Sequence, residues 1–190
     1  MATTVKVCGV KEGNMAYMAW QAGADFVGLV VTESQRRVSL PQVADLTAQL
    51  PQIRFVAVGR DVSEELFHQL LDLPLYAIQL HGKSPRDWIS RAQQRKKRAI
   101  ATRLDPQADV VLLDNAEPGS GQVWDWRKPS FVRPIWIAGG LTPQNVGMVV
   151  SRIRPNGVDV SSGVEVDGQK NVDLIRLFIE EVHRGDNARS

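Results

Sequence analysis

Eight short apolar runs recur along this chain with amphipathic stretches between them, and that alternation limits the possible folds more than any other feature. The runs are 5–9, 26–31, 53–58, 76–80, 98–103, 110–113, 134–138 and 157–160. Each is four to six residues long with little internal polar alternation, which suits strands buried on both faces of a parallel sheet. Helix-like patterns fill 12–22, 41–50, 62–72, 84–96, 143–152 and 171–184. Several helices carry start signals: Ser39 before Pro41, Ser63 before Glu64 and Glu65, Ser84 before Pro85, and Thr142 before Pro143. Gly23 stands where a helix C-cap is expected.

Strands alternating with helices indicate an α/β chain, and eight such units indicate a (β/α)8 TIM barrel in a single domain. A barrel of this kind typically needs about 250 residues, and the chain has 190. Some connections must therefore be trimmed. The segment 104–109 is too short for a helix and contains Pro106, and 115–133 is rich in Gly and Pro. The sequence thus predicts a barrel with helix 5 largely missing and helix 6 reduced. Residues 1–184 would form the domain, and the polar residues 185–190 a disordered tail.

Composition excludes several function classes. A net charge of +2 is too mild to argue for a nucleic-acid partner, though a basic mouth suits an anionic substrate. No apolar run approaches the roughly 18 residues of a membrane span. The lone cysteine cannot close an internal disulfide, and no signal peptide is evident, so a reducing, cytoplasmic setting is expected. No metal-ligand cluster or cofactor motif stands out. Nothing in the chain decides between a monomer and a homodimer.

Two titratable residues end predicted strands. Cys8 closes the run from Val5, and Asp114 closes the run from Val110. In a (β/α)8 barrel the C-terminal strand ends form the catalytic rim, where a thiolate and a carboxylic acid would make an acid–base pair. On residue type alone, Cys8 reads first as a small buried hydrophobe and Asp114 as a turn residue. Lys6 shares a strand face with Cys8 and would favour its thiolate. Gly139 and Gly140 follow the seventh run, and Ser161, Ser162 and Gly163 follow the eighth. Loops after strands seven and eight are the usual phosphate site of this barrel, because small residues let backbone N–H groups approach an anion.

Seven motifs then occur in one order: Lys6-Val7-Cys8-Gly9, Ser34 to Ser39, Gln79-Leu80-His81-Gly82, Leu113-Asp114-Asn115, Gly119 to Trp126, Ala138-Gly139-Gly140-Leu141, and Val158 to Glu165. Together they resemble the phosphoribosylanthranilate isomerases over residues 5 to 183. The resemblance implies an Amadori rearrangement in tryptophan biosynthesis, with a phosphosugar substrate and no cofactor. It implies Cys8 as general base, Asp114 as general acid and Arg36 as the clamp on the substrate carboxylate. Gln79 and His81 are read equally as substrate contacts or structural polar groups. Asp159 is read equally as a partner for a substrate hydroxyl or a structural group. Arg37 reads as a surface charge, and Trp124 and Trp126 as loop anchors.

The chain also departs from the family pattern. Gln35 stands where proline is usual, Val56 to Asp61 replaces a Phe-rich strand and brings in Arg60, and Ile100 stands in for a common lysine. Two other readings therefore remain beside the first. One is a degenerate paralogue that binds a phosphorylated ligand. The other is an isomerase of a related aminoaldose phosphate.

Overall fold

The structure is a computed structural model that describes residues 2–85, 87–102, 105–114 and 133–188. Eight parallel strands close into a barrel in sequential order, with β1 paired to both β2 and β8. The strands are β1 (Thr4–Cys8), β2 (Phe26–Val30), β3 (Phe55–Arg60), β4 (Ala77–His81), β5 (Arg98–Ala101), β6 (Val110–Asp114), β7 (Ile135–Ala138) and β8 (Gly157–Val160). The helices are α1 (Gly13–Gln21), α2 (Leu40–Gln49), α3 (Glu64–Asp72), α4 (Asp87–Gln94), α5 (Pro143–Ile153) and α6 (Val172–Asn187). A short antiparallel hairpin, β9 (Glu165–Val166) and β10 (Gln169–Lys170), follows the eighth strand.

Strand alternation divides the apolar residues into two cores. One face of each strand points outward and packs under the helices, as Val5, Val7, Val27 and Leu29 do. The other face fills the barrel with Phe26, Val56, Ala77, Ile100, Val110, Leu112 and Trp136. This second core plugs the lower barrel and leaves the C-terminal rim to polar side chains.

The helix starts at Ser39, Ser63 and Thr142 form where the sequence places them, whereas α4, expected from Ser84, runs from Asp87. Ser39 Oγ accepts from the Gln42 amide, and Gln42 Oε1 accepts from the Ser39 amide at 2.8 Å. Ser63 Oγ accepts from Leu66 N at 3.2 Å, and Asn171 Oδ1 accepts from Asp173 N and Leu174 N. Each such cap stabilises by about 1 kcal/mol. Gly23, at φ +107°, donates its N–H to the Trp20 carbonyl at the end of α1.

Between β5 and β6 the described residues contain no helix. Asp109 latches the short return instead. Its N–H donates to the Ala99 carbonyl at 3.0 Å, and its carboxylate accepts from Ala99 N at 2.9 Å. Gln93 of α4 reaches across to the Gln107 carbonyl and the Asp109 carboxylate. The reduced helix expected within 115–133, and Trp124 and Trp126 with it, lie outside the described residues apart from Arg133.

The expected tail requires correction. Residues 185–187 continue α6 as helix, and only 189 and 190 lie outside the described residues. The physical reason is long-range contact rather than composition. Gly185 is buried against α5, where an added Cβ would lie 2.5 Å from the Gly147 carbonyl oxygen. Asp186 accepts from both the amide and the hydroxyl of Thr3, each at 2.7 Å. The end of the chain therefore clamps its beginning, next to the β1–β8 seam. Hydrogen bonds to a charged group each contribute about 1.5–3 kcal/mol. Asp186→Ala removes both and should lower stability by about 3 kcal/mol or more in urea unfolding. An unchanged midpoint would show that the clamp contributes nothing.

Candidate active site

Alternation along β1 sends Val5 and Val7 outward and Lys6 and Cys8 into the barrel. Lys6 is fully buried, and its Nζ donates to Asp159 Oδ2 at 2.7 Å. The two residues are register partners on β1 and β8. Burial alone would pull the Lys6 ammonium down, but the Asp159 carboxylate foremost, joined by Cys8 where its thiol ionises, outweighs it and raises its pKa. Lys6 therefore remains a cation inside the barrel. Cys8 lies one pleat higher and pairs in register with Gly28. A Cβ at Gly28 would fall 2.9 Å from Cys8 Sγ, so glycine is what leaves the sulfur its space.

The thiol is not poised as the sequence suggests. Burial pushes the Cys8 pKa up, Lys6 pulls it down, and Asp159 pushes it further up. The upward push wins, so Cys8 rests as a neutral thiol in the unliganded protein. Lys6 acts in the expected direction without prevailing.

Asp114 ends β6 at the opposite part of the mouth, exposed at the rim, in register with Ala138 of β7. Gln79 and His81 both point inward from β4. Their side chains meet at 2.6 Å, with the Gln79 amide nitrogen on His81 Nε2. With that nitrogen donating, the ring proton sits on Nδ1. Burial first, then the charges of Lys6 and Arg60, lower the His81 pKa to about 4. Two buried oxygens here have no hydrogen-bond partner among the described residues: Gln79 Oε1 and Asp159 Oδ1. Unsatisfied buried acceptors are costly, and both lie in the residues that line the upper barrel. Ile100 is buried beside Gln79, while Arg60 is exposed at the end of β3.

The β7–α5 and β8 loops are packed against each other. A Cβ at Gly163 would fall 1.8 Å from the Leu141 carbonyl oxygen, so this approach admits only glycine. Gly139 and Gly140 adopt φ of +83° and +68°, and the space around Gly140 is open. Asn145 of α5 holds this turn by donating to the Gly140 carbonyl at 2.9 Å. Ser161 Oγ donates to the Cys8 carbonyl at 3.2 Å, tying this loop to β1. Ser162 and Gly163 open a short 3-10 helix, Ser162–Val164.

Arg36 sits on the loop between β2 and α2. Ser34 steadies that loop, its hydroxyl accepting from Arg36 N and its carbonyl from Arg37 N, each at 3.1 Å. The stem of Arg36 crosses Gly9 so closely that a Cβ there would lie 2.4 Å from Cδ. Its guanidinium is engaged by Glu165: Nε donates to Oε1 at 2.7 Å and Nη2 to Oε2 at 2.6 Å. Lys170 donates to the same carboxylate at 2.5 Å and to the Ser161 carbonyl at 3.0 Å. Arg36 foremost, with Lys170, lowers the Glu165 pKa to about 2. Arg37 is exposed and only loosely paired with Glu33 at 3.7 Å.

Lys170 and Glu165 were not singled out from the sequence, although a signal was present. Asp167-Gly168 adopts φ of +50° and +74° in a two-residue turn that pairs Glu165 with Lys170 across the hairpin. Asp-Gly is the strongest short hairpin signal, and opposite charges facing across strands reinforce it. Beside this hairpin lies a cleft of about 200 Å³, lined by Gly9, Lys11, Glu12, Met15 and Gly168 to Lys170. Among the described residues, no cluster of His, Cys, Asp or Glu is placed to hold a metal ion, and no helix is long and apolar enough to cross a membrane.

Comparison with known proteins agrees with this geometry. Residues 5–181 match the family described as N-(5'-phosphoribosyl)anthranilate (PRA) isomerase. The N-(5'-phosphoribosyl)anthranilate isomerase of Streptococcus gordonii is 37% identical over 193 residues, covering 96% of this chain and 99% of its own. The crystal structure of TrpF from Jonesia denitrificans superposes with a TM-score of 0.84 at 29% identity, over 99% of this chain and 100% of its own. A phosphoribosyl anthranilate isomerase in complex with reduced 1-(o-carboxyphenylamino)-1-deoxyribulose 5-phosphate superposes at 0.79 with 28% identity, over 95% of this chain and 98% of its own. A near-complete family match on a closed eight-stranded barrel, with Cys8 and Asp114 at its rim, makes this chain a member of the phosphoribosylanthranilate isomerase family.

Proposed function

We propose that this protein converts N-(5'-phosphoribosyl)anthranilate into 1-(2-carboxyphenylamino)-1-deoxyribulose 5-phosphate, an isomerisation of tryptophan biosynthesis. The observation that carries this reading is the placement of Cys8 inside the barrel, above the buried Lys6–Asp159 pair, with Asp114 on the same rim. Asp114 is the acid. It protonates the furanose ring oxygen as the C1'–O bond breaks and the anilino nitrogen lone pair forms the iminium. Cys8 is the base. It takes the C2' proton, whose bonding pair neutralises the iminium to give an enolamine. The enolamine then gains a proton at C1' and loses its hydroxyl proton, which leaves the aminoketose. Neither step calls for a metal or redox cofactor.

The acid role requires Asp114 to hold its proton near neutral pH. Burial does not supply that in the unliganded protein, because Asp114 is exposed. The substrate's phosphate and carboxylate bring two anionic groups to the mouth, and nearby negative charge raises a carboxyl pKa. The phosphate is assigned to Gly139, Gly140, Ser161, Ser162 and Gly163, and the carboxylate to Arg36. Gln79, His81 and Asp159 line the sugar's path. The unpartnered Asp159 Oδ1 and Gln79 Oε1 support them as acceptors for sugar hydroxyls. The lone cysteine supports a cytoplasmic setting. The chain acts as a monomer or homodimer, with no membrane or nucleic-acid partner.

The test is loss of substrate fluorescence in the presence of purified protein. Cys8→Ala and Asp114→Asn should each lower kcat by about 10²–10⁴, and near-normal turnover in either variant would remove that residue from the mechanism. Because the Cys8 pKa is raised, the thiolate fraction grows as pH rises past the ordinary thiol range. Alkylation of Cys8 by iodoacetamide should therefore gain rate at a higher pH than for a free thiol. An inflection at or below the free-thiol value would contradict the buried neutral thiol.

His81 gives a second pH dependence. Its folded pKa of about 4 lies below the ordinary 6.5, so the unfolded chain binds more protons between those values. This contribution to stability is full above pH 6.5 and falls as pH drops towards 4. At about 1.4 kcal/mol per pKa unit, the loss is at most about 3–4 kcal/mol. His81→Asn should flatten the change in urea midpoint between pH 7 and pH 4.5. An identical slope in both proteins would show that His81 is not its source.

A further inference from the structure

The acid–base chemistry assigns no role to Glu165, yet this carboxylate at the rim is heavily engaged. Its side chain is only 7% exposed. It accepts from Arg36 Nε at 2.7 Å, from Arg36 Nη2 at 2.6 Å and from Lys170 Nζ at 2.5 Å. Burying a carboxylate this deeply is costly unless it is paired and hydrogen-bonded. Here two cations on different loops meet that requirement, one from the β2–α2 loop and one from the hairpin after β8.

A guanidinium offers a carboxylate two edges. The side-on edge carries Nε and one Nη; the end-on edge carries the two Nη groups. Glu165 occupies the side-on edge in a fork-to-fork arrangement with both oxygens. Nη2 keeps a second N–H that points towards Nη1, so the end-on edge retains a complete pair of parallel donors. Gly9 supports the stem of Arg36 from beneath, since a Cβ there would collide with Cδ. With the stem and one edge fixed, the plane of the guanidinium is fixed, and so is the direction of its remaining edge.

We infer that Glu165 is the positioning residue for Arg36: it holds the side-on edge so that the end-on edge is presented, preformed, to the carboxylate of an aromatic amino acid moiety. This rests on the proposed isomerase reading, in which Arg36 meets the substrate carboxylate. Glu165 touches no substrate on this account; it acts through Arg36. Lys170 completes the device by donating to Glu165 and to the Ser161 carbonyl, and Ser161 in turn donates to the Cys8 carbonyl. The orientation of the clamp is thereby referenced to the strand that carries Cys8. Holding a charged side chain in one geometry before binding removes an ordering cost from association.

The experiment compares two ligands in wild type, Glu165→Ala, Arg36→Ala and the double variant, with thermal melting to confirm folding. Glu165→Gln is a second variant that preserves side-chain volume. One ligand is reduced 1-(o-carboxyphenylamino)-1-deoxyribulose 5-phosphate, which carries the carboxylate; the other is ribose 5-phosphate, which lacks it. Glu165→Ala should weaken the first by about tenfold or more and the second by less than about twofold, tenfold being about 1.4 kcal/mol of misaligned clamp. Substrate KM should rise while kcat changes little. In the Arg36→Ala background, Glu165→Ala should cost nothing further. Equal losses on both ligands, or a full additional loss in the double variant, would overturn the inference and make Glu165 a general structural contact. If Arg36→Ala leaves the ratio of the two affinities unchanged, the carboxylate clamp itself is wrong. If wild type fails to turn over the fluorescent substrate, the isomerase reading fails, whatever Glu165 does.

Discussion

The Lys6–Asp159 ion pair spans the seam where β8 returns to β1, and the chemistry of the upper barrel depends on it. As a source of stability it is a poor choice. Removing two charges from water costs several kcal/mol each, and well-packed apolar residues in their place often do as well or better. Removing one partner alone costs about 3–5 kcal/mol, because the other is left buried and unpaired. The barrel already has an apolar plug in Phe26, Val56, Leu112 and Trp136 beneath this level. The pair is therefore best explained by what it does to its neighbours. It sets a cation beside the Cys8 sulfur and leaves one buried oxygen of Asp159 without a partner among the described residues.

A second ionic group, Arg36–Glu165–Lys170, governs the rim. The two groups differ in kind. Lys6 and Asp159 are on adjacent strands, so the sheet itself fixes their distance. Arg36 is on a loop, and Glu165 and Lys170 are on the short hairpin outside the barrel sheet, so their geometry comes from the hairpin pairing, from mutual hydrogen bonding and from close contacts such as Gly9 against Arg36. Loops supply chemistry and strands supply rigidity. The Ser161 hydroxyl links the two groups through the Cys8 carbonyl. It gives the rim a fixed reference to the strand carrying the thiol.

Unbroken apolar runs made the barrel readable, because a strand buried on both faces declares itself that way, and period-two geometry then divided its side chains between the two faces. It also placed Lys6 and Cys8 on one face. The same reasoning could not see Glu165 and Lys170 as a pair, because β9 and β10 have two residues each and carry no periodicity. Only the Asp167-Gly168 turn marks them. Nor could it see that Arg36 already holds a protein carboxylate, since its partner lies 129 positions away. Residues 185–187 failed for the same reason. Their composition is that of a tail, but Asp186 meets Thr3 across 183 positions. The direction of the Cys8 shift was likewise out of reach: Lys6 was visible, but the burial that outweighs it is a property of the closed barrel.

A resting neutral thiol is compatible with a base because the proposed steps have an order. Before ring opening, the charges near Cys8 are those of the protein, and burial keeps the proton on sulfur. Protonation of the ring oxygen by Asp114 turns the neutral anilino nitrogen into an iminium, with positive charge one bond from C2'. That charge develops in a confined, poorly solvated space, where it acts on neighbouring groups far more strongly than in water. It favours the thiolate over the thiol, whose proton then leaves to solvent at the barrel mouth, and it acidifies the C2' proton that the thiolate takes up. Lys6 contributes a fixed part of the same stabilisation in advance. The acid step thus creates the electrostatic condition for the base step. On this account a thiol suits the position, because it is neutral before ring opening and leaves Lys6 to Asp159 until the base is needed.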